Sequence, residues 1–213
     1  MPNFRTALFA AALAFCAQTQ AAVITFNNLA GTNVPGSVYV YSNQYTQMRN
    51  QSATVDGFTF ASTVDEIFMR SGYANGGDTG YDAYNGTDFL MTYSTVTMRN
   101  VTATPFSVNS LDLVNWSGYG LTATLKGTRM DGTTITQLIN LDTRPNNSKT
   151  VGNDFTNYAL SGFTGLKSFS IGSDSGNWVA LDNIAVNAVP EPASLAILGL
   201  GLGALAIARR RKA

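Results

Sequence analysis

The residues most capable of chemistry lie in one short polar segment, between positions 75 and 88. Asp78, Asp82 and Asp88 are interspersed there with asparagine and glycine. Calcium prefers six to eight oxygen ligands, which carboxylates, amides and backbone carbonyls on glycine-containing turns supply. The three aspartates therefore predict a calcium site, although their spacing is not that of an EF-hand loop. The alternative is a solvated loop in which Asp and Asn side chains cap turns.

Aromatic residues flank the same segment and indicate a second kind of ligand. Tyr73, Tyr81 and Tyr84 surround the aspartates. An aromatic ring offers a flat apolar face with a polar edge, which suits the binding of a sugar. These tyrosines are therefore the candidate glycan-binding residues. Trp116 and Trp178 adjoin apolar strand residues and are expected in the core.

The rest of the composition excludes most catalytic chemistry. The chain has no histidine, which removes Ser-His-Asp and Cys-His centres and imidazole metal sites. Its single cysteine, Cys16, lies in an N-terminal segment that is expected to be removed. A hydrolase would need an aspartate pair, and Asp78 with Asp82 is the pair to test. We therefore expect no enzyme activity and no cofactor, with calcium as the alternative.

The charge distribution argues against nucleic acid as a partner. The 213 residues contain 13 basic and 13 acidic side chains, but five of the basic ones lie at the two ends. Residues 23–188 keep eight basic against twelve acidic side chains, a net charge of about −4. Binding through phosphate contacts needs a basic surface, which this segment does not provide.

The first 22 residues are typical of a secretory signal peptide. Arg5 provides the positive start, and residues 7–17 form an apolar stretch of eleven residues. A cut after Ala21 places Thr19 and Ala21 at the two positions that require small residues, whereas a cut after Ala22 places Gln20 at the outer one. Ala21 and Ala22 are therefore the predicted cleavage residues, and the alternative is a buried core helix.

Three consecutive features mark the C-terminal segment 189–213. Pro190-Glu191-Pro192 is followed by sixteen uncharged residues, 193–208, and then by a basic cluster. As a transmembrane helix the uncharged stretch would span about 24 Å, against a hydrocarbon core of about 30 Å. The two prolines keep the preceding peptide extended and accessible. The basic cluster would remain cytoplasmic as a membrane stop signal, and it consists of Arg209, Arg210, Arg211 and Lys212.

This order of motif, apolar stretch and basic cluster resembles the PEP-CTERM sorting signal of bacterial surface proteins. The resemblance implies that an exosortase, a membrane-embedded cysteine peptidase, recognises Pro190-Glu191-Pro192 and removes the tail. It also implies an inner-membrane anchored precursor in a Gram-negative cell that makes an exopolysaccharide. The product would be released or attached at the cell surface or in the extracellular matrix. The alternative is a plain C-terminal membrane anchor with a chance Pro-Glu-Pro.

The body between these signals, residues 23–188, is predicted to be one all-β domain. Apolar residues alternate with threonines over 121–125, a period of two that indicates a strand. Phe106 and Leu111 have opposite phases, so a bulge is expected near Asn109-Ser110, and Asp131-Gly132 predicts a hairpin turn. Short strands with turns between them indicate a β-sandwich with one core. Strands are predicted at 23–27, 38–41, 58–62, 66–70, 89–93, 96–100, 106–115, 121–129, 134–141, 155–160, 166–172 and 179–186.

The last predicted strand changes phase at Asp182-Asn183, since Leu181 and Ile184 have opposite parity. A bulge there would aim Asp182 either towards a loop or an ion, or towards the local backbone. We favour a hydrogen bond between its side chain and the backbone.

Residues 85–186 also resemble a β-sandwich domain that recurs upstream of PEP-CTERM tails, through Phe106–Asp112, the Gly127–Gly132 hairpin and Leu181–Ile184. The resemblance implies a jelly-roll-like fold similar to that of carbohydrate-binding modules, without a defined ligand. The leading hypothesis is a structural or adhesive surface protein in an exopolysaccharide layer. The alternatives are a carbohydrate-binding module for extracellular polysaccharide, with or without calcium, and an aspartate-pair hydrolase.

Overall fold

The described part of the chain consists of strands and the turns between them. The computed structural model describes residues 21–29, 39–41, 45–49, 52–62, 66–71, 85–115, 120–141, 154–173 and 177–188. None of these residues lies in a helix, so the all-β prediction is confirmed. The strands are β1 (Ala21–Ile24), β2 (Tyr39–Tyr41), β3 (Tyr45–Arg49), β4 (Ser52–Val55), β5 (Phe58–Ala61), β6 (Glu66–Ser71), β7 (Asp88–Thr92), β8 (Val96–Asn100), β9 (Phe106–Asn115), β10 (Leu121–Arg129), β11 (Thr134–Leu141), β12 (Thr156–Ala159), β13 (Leu166–Ser173) and β14 (Val179–Ala188).

The strands form one antiparallel, nearly closed sheet with two halves. The first half has the order β2-β3-β6-β7-β14-β9, with β1 beside β14 and β12 beside β9. The second half has the order β11-β10-β13-β8-β5-β4. The register pair Leu166↔Phe106 joins β13 to β9 and so connects the halves. One apolar cluster contains residues of both halves, which places them face to face.

The core follows from the two-residue period of the strands. In β10 the side chains of Leu121, Ala123 and Leu125 are buried, while the threonines between them are half-buried. Phenylalanines fill the centre: the rings of Phe26 and Phe60 are fully buried and meet edge to face, 5.3 Å apart. Burial of one such side chain contributes about 1.5–3 kcal/mol relative to leaving it exposed.

The predicted hairpin at Asp131-Gly132 is confirmed. Gly132 has φ +87°, in the left-handed region that glycine tolerates best. The backbone N–H of Arg129 donates to the carbonyl of Thr133 at 2.8 Å, which closes the turn. The Asp131 carboxylate accepts from the Thr133 backbone N–H at 2.9 Å and from its hydroxyl at 2.7 Å. Both hydrogen bonds lower the pKa of the Asp131 carboxyl group, and the bond from the Thr133 hydroxyl has the larger effect.

The predicted irregularities of β9 and β14 are also present. The pairing runs Asp182↔Asp112, Ala185↔Ser110 and Val186↔Val108. β14 therefore carries one extra residue after Asp182, and β9 carries one extra residue at Asn109. Asn183 has φ +48°, a left-handed conformation that asparagine adopts more readily than most residues. The two bulges compensate each other, so pairing continues to the end of β14.

The observed strands differ from the prediction in several of their bounds, most at β1, which was predicted at 23–27 and lies at Ala21–Ile24, and in two strands that were missed. β3 and β4 lie in a segment where no strand was predicted. β4 joins β5 through Asp56-Gly57, whose φ angles are +49° and +79°, as in the turns that favour hairpins. The predicted signal peptide, up to residue 20, and the predicted span 193–208 lie outside the described residues. Within the described ranges no helix is long and apolar enough to cross a bilayer.

Candidate functional site

The predicted calcium and glycan residues fall largely outside the described ranges. Five of the predicted residues lie outside the described ranges: Asp78, Asp82, Tyr73, Tyr81 and Tyr84. Asp88 begins β7 opposite Ser71 of β6, and its side chain is 9% exposed. Among the described residues no group of three carboxylate, cysteine or histidine side chains could hold a metal. The calcium site and the tyrosine site stay predictions.

The densest polar cluster of the described residues is centred on Asp182. Its side chain is completely buried, and the left-handed Asn183 that follows brings the backbone back to it. The Asn183 N–H donates to Asp182 Oδ1 at 2.8 Å. The favoured interpretation of this bulge, a side chain bonded to the local backbone, is therefore confirmed.

Asp182 also binds two segments that are distant in the chain. Asn85 Nδ2 and the Thr87 hydroxyl both donate to Asp182 Oδ2, at 2.8 and 3.0 Å. The backbone N–H of Phe26 bonds the same carboxylate. The carboxylate thereby ties the segment before β7 and the segment after β1 to β14. Local sequence patterns give no sign of the two side-chain partners, because they lie 97 and 95 residues away.

Burial raises the pKa of the Asp182 carboxyl group above its ordinary value of 3.8. Hydrogen bonds from Asn183, Thr87, Asn85 and Phe26 oppose this rise, but they do not cancel it. Transfer of an ionised carboxylate out of water is costly, and hydrogen bonds from neutral donors compensate only part of the cost. The four donors therefore hold the Asp182 carboxyl group in place, although its ionised form remains less favourable there than in water.

Asp112 extends the cluster to β9 and β12. It is the register partner of Asp182. Its Oδ1 accepts from Asn157 Nδ2 at 2.7 Å, and its Oδ2 accepts from Asn183 Nδ2 at 2.8 Å. Asn183 therefore bridges the two carboxylates. N–H and O–H donors bind the carboxylate oxygens of both Asp182 and Asp112. The arrangement is therefore a structural cross-link between β9, β12 and β14.

A smaller apolar cluster covers the outer surface of the first half. Met91, Ala180 and Val114 are register partners on β7, β14 and β9, and they alternate with leucines that face the main core. Phe89 and Phe155 complete this outer cluster, with ring centroids 5.2 Å apart.

The edge of the outer cluster carries an aromatic pair. The Tyr93 and Trp178 ring centroids lie 5.2 Å apart, and Tyr93 is 41% exposed. Trp178, expected in the core, is only half-buried and packs against the outer cluster. Trp116 lies outside the described residues. The pair is an aromatic surface that sequence reasoning did not select, because neither residue belongs to the Asp-rich segment.

The predicted signal-peptide cleavage residues lie in β1, and the Pro-Glu-Pro motif follows its partner β14 in the chain. β1 pairs with β14 in the register Ala21↔Asn187 and Ala22↔Val186. Ile24 and Phe26, which follow the predicted cleavage residues, are fully buried. β14 ends at Ala188, two residues before Pro190. The motif itself and the basic cluster 209–212 lie outside the described residues.

A protein-family model described as the PEP-CTERM protein-sorting motif matches residues 188–212. The chain therefore carries a PEP-CTERM motif, and the first resemblance drawn from the sequence is confirmed. The motif indicates an exported protein with a C-terminal membrane-anchoring sorting signal. None of the curated proteins matches the sequence.

The β-rich fold is similar to solved structures of low sequence identity. A DUF4465 family protein from Bacteroides caccae has a TM-score of 0.52 at 10% identity, covering 80% of this chain and 100% of that one. A point mutant of the carbohydrate-binding module CBM29-2 has a TM-score of 0.37 at 11% identity, with 80% and 93% covered. A family 29 carbohydrate-binding module has a TM-score of 0.37 at 12% identity, with 80% and 90% covered. The first likeness shows the fold alone.

Proposed function

We propose that this chain is a non-enzymatic surface protein, which an exosortase processes at Pro190-Glu191-Pro192 and which has a structural or adhesive role in an exopolysaccharide layer. The observation that carries the proposal is the PEP-CTERM match at 188–212, which begins at the last residue of β14. In this proposal the precursor is anchored in the inner membrane of a Gram-negative cell. The product then reaches the cell surface or the extracellular matrix.

The position of the motif next to the fold supports this order of events. Only Val189 separates the end of β14 from Pro190. Prolines lack an N–H donor and disfavour helix at the preceding residue, so the motif would stay extended between sheet and bilayer. A membrane-embedded peptidase would then reach it beside the folded domain. The peptidase supplies the chemistry, and this chain supplies the recognised peptide.

The processing step is tested by replacing Pro190, Glu191 and Pro192 together with alanine in the full-length chain. The expected result is an unprocessed form that stays in the inner membrane, seen as a larger band in membrane fractions. Val101→Ala is the matched control, because Val101 is an exposed turn residue, 55% accessible and remote from the motif in sequence. Normal maturation of the triple variant would contradict the proposal.

A carbohydrate-binding role is the second candidate, and the Tyr93–Trp178 surface favours it. Aromatic faces beside polar groups suit sugars, and the exposed Tyr93 ring lies at the edge of the buried outer cluster. In the sequence, the predicted glycan residues Tyr73, Tyr81 and Tyr84 precede β7, and Tyr93 follows it. Saturable binding of the purified domain, residues 22–188, to the host's own extracellular polysaccharide would support this role. Its absence, with calcium and with EDTA, would leave the structural role.

A further inference from the structure

Among the strands that the structure describes, β11 is a long edge strand, and its own sequence lacks the features that usually protect such edges. Within the described ranges it pairs with β10 alone, from Leu121↔Leu141 to Thr128↔Thr134. It has eight residues, whereas the other strands with a single described neighbour, β1, β2, β4 and β12, have three or four. Natural edge strands are commonly short, or carry a lysine, a proline or a bulge. β11 contains no charge and no proline, and its register with β10 is unbroken.

The hairpin before β11 determines which of its backbone groups face the open edge. Since the N–H of Arg129 donates to the carbonyl of Thr133, these two residues form a hydrogen-bonded pair. Hydrogen-bonded and non-hydrogen-bonded pairs alternate along an antiparallel ladder. Ile135, Gln137 and Ile139 therefore bond β10. The residues whose N–H and C=O groups point towards the open edge are Thr134, Thr136, Leu138 and Asn140.

The side chains of β11 are symmetric about Gln137. Ile135 and Ile139 lie two residues to either side on the inner face, and both contribute to the core. Leu138, on the outer face, is a large apolar side chain that is 65% exposed. A two-fold axis at Gln137 would place Thr136 opposite the partner's Leu138 as a hydrogen-bonded pair. Ile135 would face the partner's Ile139, and the Gln137 amides, each donor and acceptor, would face one another.

We propose that β11 pairs antiparallel with β11 of a second copy of this chain, which continues the sheet across a two-fold axis at Gln137. Strand addition of this kind gains main-chain hydrogen bonds, and a two-fold interface uses the same surface on both copies. The absence of charge on β11 removes the repulsion that usually opposes such pairing. The inference goes beyond the proposed function and does not depend on where the protein is sorted.

The test is disulfide trapping in the purified full-length chain with Cys16→Ser. Residues that face each other in a non-hydrogen-bonded antiparallel pair have Cα atoms about 4.5 Å apart, within the range of about 4.4–6.8 Å that a disulfide spans. Gln137→Cys is expected to give a covalent dimer on oxidation in detergent solution. Asn140→Cys is the matched control, because Asn140 is exposed on the same strand but would face the partner's Thr134. No dimer from Gln137→Cys, or equal dimer from both variants, would overturn the proposal.

A second variant separates edge pairing from random collision. Thr136→Pro removes an N–H that points away from β10, so it should leave the ladder within one copy intact. Added to Gln137→Cys, it is expected to abolish the dimer while thermal unfolding stays close to that of the parent. Leu138→Lys, which places a charge on the edge, provides the same test if the proline variant does not fold. Dimer formation that persists in the folded edge variant refutes pairing through β11.

Discussion

Replacing Asp182 with alanine removes a buried acceptor on which four donors converge. Two of them are side chains, Asn85 Nδ2 at 2.8 Å and the Thr87 hydroxyl at 3.0 Å. The other two are the backbone N–H groups of Asn183, at 2.8 Å, and Phe26. The substitution therefore loosens the contacts of three separate segments at once.

The magnitude follows from these contacts. A hydrogen bond to a charged group contributes about 1.5–3 kcal/mol, and a buried donor left unpaired costs about 1–3 kcal/mol. Rotation of the Thr87 hydroxyl, entry of water and relief of the buried charge offset part of the loss. We expect the free energy of unfolding to fall by about 3 kcal/mol. For a domain of this size the corresponding drop in Tm is about 6–12 °C.

The assay is equilibrium unfolding in urea of the purified domain, residues 22–188, followed by tryptophan fluorescence. Asp131→Ala is the matched control, because Asp131 also accepts two hydrogen bonds but lies on an exposed hairpin. Its loss of stability should be clearly smaller. A loss for Asp182→Ala no greater than that for the control would refute the cross-linking role of Asp182.

The Asp182 carboxyl group, Gly127 and the Asp-rich segment each give a further prediction. Because the pKa of Asp182 is raised by burial, the folded state binds its proton more tightly than the unfolded state; stability gained from this proton is present at low pH and lost as pH rises from 3.8 through the folded pKa. The unfolding free energy of the wild type minus that of Asp182→Asn should therefore decrease as pH rises through that window. An increase with pH would contradict the argument. Gly127→Ala should lower the free energy of unfolding in urea by about 1–3 kcal/mol, because a Cβ there would lie 2.8 Å from Leu166 Cδ2 and 2.9 Å from Ile135 Cγ2. Thr124→Ala on the same strand is the control. Equal stability of the two variants would count against close packing at Gly127. If the Asp-rich segment binds calcium, the ion should raise the Tm of the wild type but not that of Asp82→Asn, whereas no shift in the wild type would dismiss the site.

The strands with strong period-two alternation were predictable to the residue. β8, β9, β10 and β11 begin and end where the sequence indicated. These strands carry buried apolar residues at alternating positions, such as Val96 and Met98 in β8. The sequence pattern predicts the strand because one face of it packs against the core. The Asp131-Gly132 turn was predictable for a related reason, since it requires a residue that tolerates positive φ.

The strand β3 was not predictable from its own residues, whereas the residues of β4 carry a pattern that the prediction missed. β3 reads Tyr-Thr-Gln-Met-Arg, which lacks a clear apolar alternation. β4 has only four residues, Ser-Ala-Thr-Val, but they alternate between polar and apolar and are exposed and buried in turn. Their pairing comes from neighbours, β6 for β3 and β5 for β4. The turn at Asp56-Gly57 was a second local signal for β4.

The Asp182 cluster was only partly predictable. The change of phase at Asp182-Asn183 indicated a bulge and a bond to the local backbone, and both are present. Asn85 and Thr87 could not be identified as partners, because tertiary folding alone brings them to β14. Single-sequence patterns report on neighbours along a strand, whereas this cluster joins segments that are distant in the chain.

The most direct test of the central claim is the intact mass of the protein recovered from the surface of its own cells. Processing at the PEP-CTERM motif predicts a chain that has lost both ends: it begins at Ala22 or Val23, and it lacks the apolar stretch 193–208 and the basic cluster after it. A surface protein whose mass includes residues 193–213 would contradict exosortase processing and identify the tail as a plain membrane anchor.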